Sequence, residues 1–372
     1  MKIERIETIP IRIPLKTQYS GSNYSMCNRC TIITRIYTQD GIVGECYNGD
    51  EDDTMGAIKQ IIDDEITPKL LGQDAFNTEG CWDIARTPTR NILRDRKLAT
   101  QAQACVDSAI HDAVGKALGI PLFKMWGGYR SELPVTCVAG YYEKNQSPGC
   151  IGDEIERLRT KGFSGCKFKV GRLTPEADME RLEIAAAAAG SDFLITVDAN
   201  QNWSAREAVR FGLLAHKKNI NIFWFEEPCC WETDKLGMEL VRKATGIPVA
   251  AGQSEISAGG CRDLMMSHSI DFCNFDASWG GGPTEWKRIA GMARCFDVCM
   301  AHHEEAQISA HLLASIPHGS FVELFHPDRD PVFYQLFENH PRVEQGRYRL
   351  PEGSGWGLKL DAAVIAKYRV DR

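Results

Sequence analysis

The chain opens on alternation. In "KIERIETIPIRIPL" isoleucine returns every second or third position between polar and charged residues, the period of a strand whose two faces meet different surroundings. "CTIITRIYTQDGIVGECY" continues as two β-rich runs joined by "TQDG", a hairpin signal. Between these regions "KTQYSGSNYSMCNR" is polar, contains Gly and Ser, and is expected to be a loop. From 54 to 118 the period changes. "TMGAIKQIIDDEITPKLLG" and "LATQAQACVDSAIHDAVGKALG" place apolar residues three and four apart, and the second run stops at Gly119 with a proline just beyond. The first third therefore reads as a three-stranded sheet followed by helices, an α+β unit.

From about 133 short apolar runs recur: "LPVTCVAG", "GCKFKVG", "FLITVDAN", "IFWFEEP", "IPVAAGQSE", "IDFCNFDAS", "DVCMAHHEE" and "SFVELF". Helical stretches such as "DEIERLRTKG" and "SAREAVRFGLLAHKKN" separate them. Strands alternating with helices imply parallel βαβ units, and eight of them closing on themselves give a (β/α)8 barrel. An open doubly wound sheet would want a glycine-rich phosphate loop after its first strand, and no GxGxxG or Walker sequence is present. The last 40 residues read as loop and short strand, expected to pack back on the N-terminal unit.

In such a barrel, chemistry collects where strands end. The second strand, "SGCKFKVGR", carries Lys167 and Lys169 on one face, where two ammonium groups repel and resist burial. The following strands end in Asp198 and Asn200, in Glu226 and Glu227, in Gln253 and Glu255, in Asp276, in His302 and His303, and in Glu323. Any one of these acids alone reads as a helix cap or a solvated residue. The whole set, delivered by successive strands to one rim, reads as a site. Asp198, a glutamate of 226/227 and Glu255 form a carboxylate group that needs a cation, and all-oxygen donors favour Mg2+. The paired lysines then face an anion bound at that metal.

Composition removes other classes. The 372 residues are 43% hydrophobic and 25% charged with net charge −7, and no basic run suggests a nucleic-acid surface. No apolar run approaches about 18 residues, so no membrane span is expected. The N-terminus lacks the continuous apolar centre of a signal peptide, and a cytoplasmic location is expected. Fourteen cysteines are scattered and read as reduced core residues; "CNRC" at 27–30 has half a zinc spacing and no second half.

Taken together, "AIHDAVGKALGIPLFKMWGG", "KFKVG", "VDAN", "EEP", "DASWGGGPTEW" followed by "HH", and "SAHLLASIPHG" with Glu323 resemble the enolase superfamily in its mandelate racemase subgroup, over nearly the whole chain. The resemblance implies a modified TIM barrel at 129–328, an α+β capping domain at 1–128, and a C-terminal segment at 329–372 packing on the cap. It implies Mg2+ held by Asp198, by Glu226 as the first glutamate of "EEP", and by a fifth-strand acid. At that third position the usual Gly-acid order is broken: Gly252 precedes Gln253, and Glu255 is taken as the ligand. The dyad histidine lies 27 residues after its aspartate, which gives His303 with Asp276 and leaves His302 as the alternative and a substrate contact.

The implied reaction is removal of a proton next to a carboxylate, by a Lys or His base beside magnesium. Lys169 is the base on one face, its pKa depressed by burial, by Lys167 and by the metal. His303 serves the other face. Glu323 holds the substrate carboxylate, and Asn200, Asn23 and Tyr24 are expected to contact substrate, with Asn48 and Asp50 in the same polar loops. Those loops favour dehydration of an acid sugar or related hydroxy acid to a 2-keto product. A racemase or epimerase, a cycloisomerase, and a non-catalytic barrel binding a metal or sugar acid remain the alternatives. The expected partner is a small carboxylate substrate, and a homo-oligomer is expected.

Overall fold

The computed structural model describes residues 1–49, 54–143 and 148–371; Asp50 and the rest of the acidic run at 50–53 lie outside them. The alternating N-terminus forms an antiparallel sheet of β1 (Ile3–Ser20), β2 (Ser25–Thr38) and β3 (Val43–Asn48), in that order. The isoleucines divide between its faces. Ile9, Ile11 and Ile13 join the core shared with the barrel, while Ile3, Ile6, Ile32 and Ile36 face the cap helices. A register shift between Ile3 and Arg5 puts Ile3 with Ile6, against simple parity. The polar stretch expected as a loop is largely strand. Tyr19 pairs with Met26 and Ser20 with Ser25, leaving a turn at 21–24. A two-stranded ribbon needs backbone pairing rather than a buried face, so polarity alone does not exclude it.

The helix Arg96–Leu118 starts at Asp95, whose side chain accepts from the Lys97 N–H, and ends at Gly119 with φ 70°. It is buried from Ala99 to Gly115 because it lies between the cap sheet and the barrel helix Gly282–Cys295. Asp107 fastens it to that helix, accepting from the Thr284 N–H and hydroxyl, each at 2.9 Å. Gly44 of β3 allows the close approach: a Cβ there would strike the backbone of Ala109 and Ala113.

The barrel comprises β4 (Glu132–Ala139), β5 (Gly165–Lys169), β6 (Leu194–Asp198), β7 (Phe225–Glu226), β8 (Val249–Ala251), β9 (Phe272–Cys273), β10 (Cys299–Met300) and β11 (Val322–Leu324). Each pairs in parallel with the next as far as β10, and β11 pairs with β4. The ring closes just before β11, where the Met300 N–H donates to the His318 carbonyl and Ser320 donates back to Met300. The tail does more than cover the cap. Its hairpin β12 (Arg342–Glu344) and β13 (Arg347–Arg349) pairs with the foot of β4, and Val370 then donates to Pro10 of β1. Among the described residues no helix is long and apolar enough to cross a membrane.

His311, on the barrel helix Ala306–Ala314, joins three segments. Its Nδ1 accepts from the Phe123 N–H at 3.1 Å and its Nε2–H donates to the Trp356 carbonyl at 3.1 Å, so the ring must be neutral. Burial pushes His311 and the cap residue His111 down to about 3 from 6.5. Their contribution to stability is full above pH 6.5 and is lost as pH falls toward 3. Each histidine costs at most about 1.4 kcal/mol per pH unit in that window. The melting temperature should therefore drop between pH 6.5 and 5. The His311→Gln variant should show a shallower drop, and an unchanged slope would contradict this assignment.

Candidate active site

The alternation of β5 sends Phe168 into the core and both lysines into the barrel mouth. Lys167 Nζ lies 3.0 Å from Glu226 Oε1, 2.7 Å from Glu323 Oε1 and 3.8 Å from Asp198 Oδ2. Lys169 Nζ lies 2.6 Å from Asp198 Oδ2 and 3.3 Å from Asn200 Oδ1. Asn200, at φ 44°, turns its backbone N–H back onto Asp198 Oδ1 at 2.8 Å. The Trp224 indole donates to the second oxygen of Glu226 at 3.2 Å. The structure thus brings together Lys167, Lys169, Asp198, Asn200, Glu226 and Glu323, all buried.

The protein's own charges raise both lysines. Burial disfavours charge on Lys167, but Glu226, Glu323 and Asp198 outweigh it and its pKa lies well above the usual lysine value. Among the protein's own charges Lys169 is raised as well, burial being outweighed chiefly by Asp198, so the depression expected of it depends on the charge of the magnesium ion. A contact from the next strand decides the sign, and the lysine's own strand does not reveal it.

The mouth is short of positive charge. Glu227, at φ 39°, accepts from Gln201 Nε2 at 3.3 Å, Gln253 Nε2 at 3.2 Å and Ser254 Oγ at 3.1 Å. Four carboxylates, Asp198, Glu226, Glu227 and Glu323, therefore stand against two ammonium groups. Burial and neighbouring carboxylates push Glu226 up to about 8 and Glu227 up to about 7. Buried oxygen donors lacking compensating charge fit a hard divalent cation.

Glu255 does not join them. Its carboxylate packs against Gly260 of the helix Ala258–Met266, where an added Cβ would collide with it, and its charged neighbours are Lys235, Asp263 and Glu232. Among the described residues no three acidic, histidine or cysteine side chains converge as a metal cage. On the fifth strand it is Gln253 that reaches the cluster, through Glu227, while the Asn274 amide donates to its oxygen at 3.1 Å.

Across the mouth, His303 Nδ1 lies 3.0 Å from Asp276 Oδ2, and Ser278 donates to the other aspartate oxygen from its N–H and hydroxyl. Burial, with the charges of Lys167 and Lys169, holds His303 well below the usual histidine value. The Trp279 ring stands 4.9 Å from His303. His302 faces the loop instead: its Nε2 accepts from the Ala277 N–H at 3.0 Å and its Nδ1 bonds the His303 carbonyl at 2.6 Å. With both nitrogens engaged, the substrate contact expected of His302 falls away.

The turn at 21–24 leans on the rim. Asn23 donates to the Asn200 carbonyl at 2.9 Å, the Ser22 hydroxyl bonds the Val170 carbonyl, and the Tyr24 ring lies 5.5 Å from Lys169 Nζ. Asn48 is elsewhere, donating to Ser108 at 3.0 Å inside the cap. Sequence reasoning missed Trp279, the Gln201–Glu227–Gln253 network and the buried Arg29 and Arg329. Only Trp279, ahead of a glycine run in "SWGGG", carried a local signal.

A closed parallel barrel whose mouth is overhung by an α+β cap in this way is the architecture of the enolase superfamily. The chain belongs to its mandelate racemase/muconate lactonizing enzyme family. Residues 5–127 match the mandelate racemase/muconate lactonizing enzyme N-terminal domain, and residues 151–364 match the enolase C-terminal domain-like unit. The chain is similar to 3,6-anhydro-alpha-L-galactonate cycloisomerase of Streptomyces coelicolor, at 28% identity over 99% of both chains. It is similar to arabinonate dehydratase of Saccharolobus solfataricus at 27% identity, over 91% of this chain and 90% of that one. A crystal structure of a mandelate racemase/muconate lactonizing enzyme from a marine actinobacterium, in complex with magnesium, is similar with a TM-score of 0.92. Its identity is 47%, over 100% of this chain and 99% of that one. The curated relatives include dehydratases, epimerases and cycloisomerases.

Proposed function

We propose that the protein is a magnesium-dependent enzyme that removes the proton next to a carboxylate, and that it eliminates water from an acid sugar or related hydroxy acid to give a 2-keto product. The observation that carries this reading is the placement of Lys169 on β5 and the His303–Asp276 pair across the same charge-deficient mouth. Asp198 and Glu226 would hold the ion, and on the fifth strand Gln253, which donates to Glu227, would stand nearest to them. When bound, magnesium polarises the substrate carboxylate and supplies the positive charge that Asp198 otherwise draws from Lys169.

Lys169 accepts the α-proton, and Lys167, fixed between Glu226 and Glu323, offers positive charge to the substrate carboxylate. The electron pair left at the α-carbon expels the β-hydroxyl, which takes a proton from His303 Nε2 and departs as water; the ring must be imidazolium for this step, so the negative charge of the bound substrate has to offset the burial and lysine charges that otherwise hold it neutral. Asp276 holds the ring so that Nε2 faces the substrate. Asn200 and Asn23 place hydrogen-bonding groups on the Lys169 side, and Tyr24 closes that side. Polar walls of this kind suit a polyol.

A screen of five- and six-carbon aldonates with magnesium, read for 2-keto product and followed by NMR for inversion at C2, tests the assignment. A 2-keto acid is expected. Inversion without keto product would move the chain to the epimerases.

A further inference from the structure

Two consecutive residues after the site histidine, Glu304 and Glu305, have positive φ, 49° and 43°. Side chains rarely adopt this conformation, and it turns both carboxylates inward at the end of β10. Their partners differ. Glu305 is fully engaged: one oxygen accepts from Arg29 of the cap at 2.7 Å and the other from Gln307 at 2.9 Å. Glu304 is engaged on one oxygen only. Its Oε1 accepts from Arg329 Nη2 at 3.1 Å and lies 3.6 Å from His303 Nε2, the ring nitrogen that Asp276 does not use. Its Oε2 is buried and has no hydrogen-bond partner, although the residue is only 6% exposed. A buried carboxylate oxygen left unmatched beside the proton-carrying nitrogen is an acceptor awaiting a donor.

We propose that Glu304 determines specificity by accepting a hydrogen bond from the substrate's β-hydroxyl, the group that His303 protonates. A hydroxyl has one hydrogen to give and lone pairs to accept with. Held between Glu304 Oε2 and His303 Nε2–H, it donates to the first and turns a lone pair toward the second. The substrate class is thereby narrowed to 3-hydroxy carboxylates, and a ligand lacking that hydroxyl leaves the oxygen unmatched. The inference rests on the proposed α-proton chemistry.

The test compares aldonates with their 3-deoxy counterparts, which retain the α-hydrogen and cannot eliminate water at C3. Solvent-deuterium exchange at C2 and keto-acid formation are measured for the wild type, Glu304→Gln and Glu304→Leu. For the 3-hydroxy substrates KM is expected to rise about 10- to 100-fold in the leucine variant and less in the glutamine variant, which keeps a neutral acceptor. Exchange into the 3-deoxy acids should stay within about twofold of wild type. Thermal melting of both variants checks that the fold survives loss of the Arg329 contact, and the glutamine variant, close in shape, serves if the leucine variant does not fold. Equal effects on the two substrate series, or none on either, would overturn the role of Glu304 and leave the proposed reaction standing. Absence of exchange by the wild type with every acid would overturn both.

Discussion

The Lys169→Ala variant is expected to lose α-proton exchange by at least about 10³-fold, while His303→Asn continues to exchange and stops forming keto acid. General bases contribute about 10²- to 10⁴-fold, and Lys169 is the side chain on the β5 side of the mouth that can receive the α-proton. Its loss leaves Asp198 with Lys167 at 3.8 Å, so the carboxylate keeps a cationic neighbour and the barrel should still fold. His303 acts later, on the departing hydroxyl, so its removal separates proton abstraction from elimination. Exchange unaltered by Lys169→Ala would reject the base assignment, and a keto acid formed normally by His303→Asn would reject the acid.

Magnesium binding gives the second large effect. The wild type should be stabilised by the ion, by about 2.7 kcal/mol at 100 times Kd, and the melting temperature should rise accordingly. Asp198→Asn removes the carboxylate between Lys169 and Glu226 and should weaken magnesium binding more than about 100-fold. Glu255→Gln should leave it unchanged, because that carboxylate lies against Gly260. Titration calorimetry distinguishes the two. A Glu255 variant that loses the ion while the Asp198 variant keeps it would reverse the donor set.

The contrast between Asp198 and Glu255 shows where sequence reading reaches its limit. Parity is dependable while a strand is regular, and β5 is regular through Lys169, so the shared face of Lys167 and Lys169 was legible from spacing alone. β8 ends at Ala251. Gly252 follows at φ 132°, and the Glu255 N–H closes a turn onto its carbonyl, so Gln253 and Glu255 do not share a face. His302 and His303 lie beyond the two-residue β10, where adjacency on a strand no longer assigns sides; the loop at 276–278 does, by occupying His302. The raised Lys169, and the arginines that hold Glu304 and Glu305, depend on partners far away in the chain, which periodicity does not record. The recurring apolar runs carried the barrel because each had one buried environment to satisfy. The polar arms on either side of the 21–24 turn had none, and their strand pairing was hidden.

Deuterium incorporation at C2 of aldonates by the wild-type protein, with magnesium and after chelation, bears most directly on the whole mechanism. Exchange that appears with the ion and vanishes with the chelator is the expected result. Exchange that proceeds equally without magnesium, or none across the panel, would contradict it.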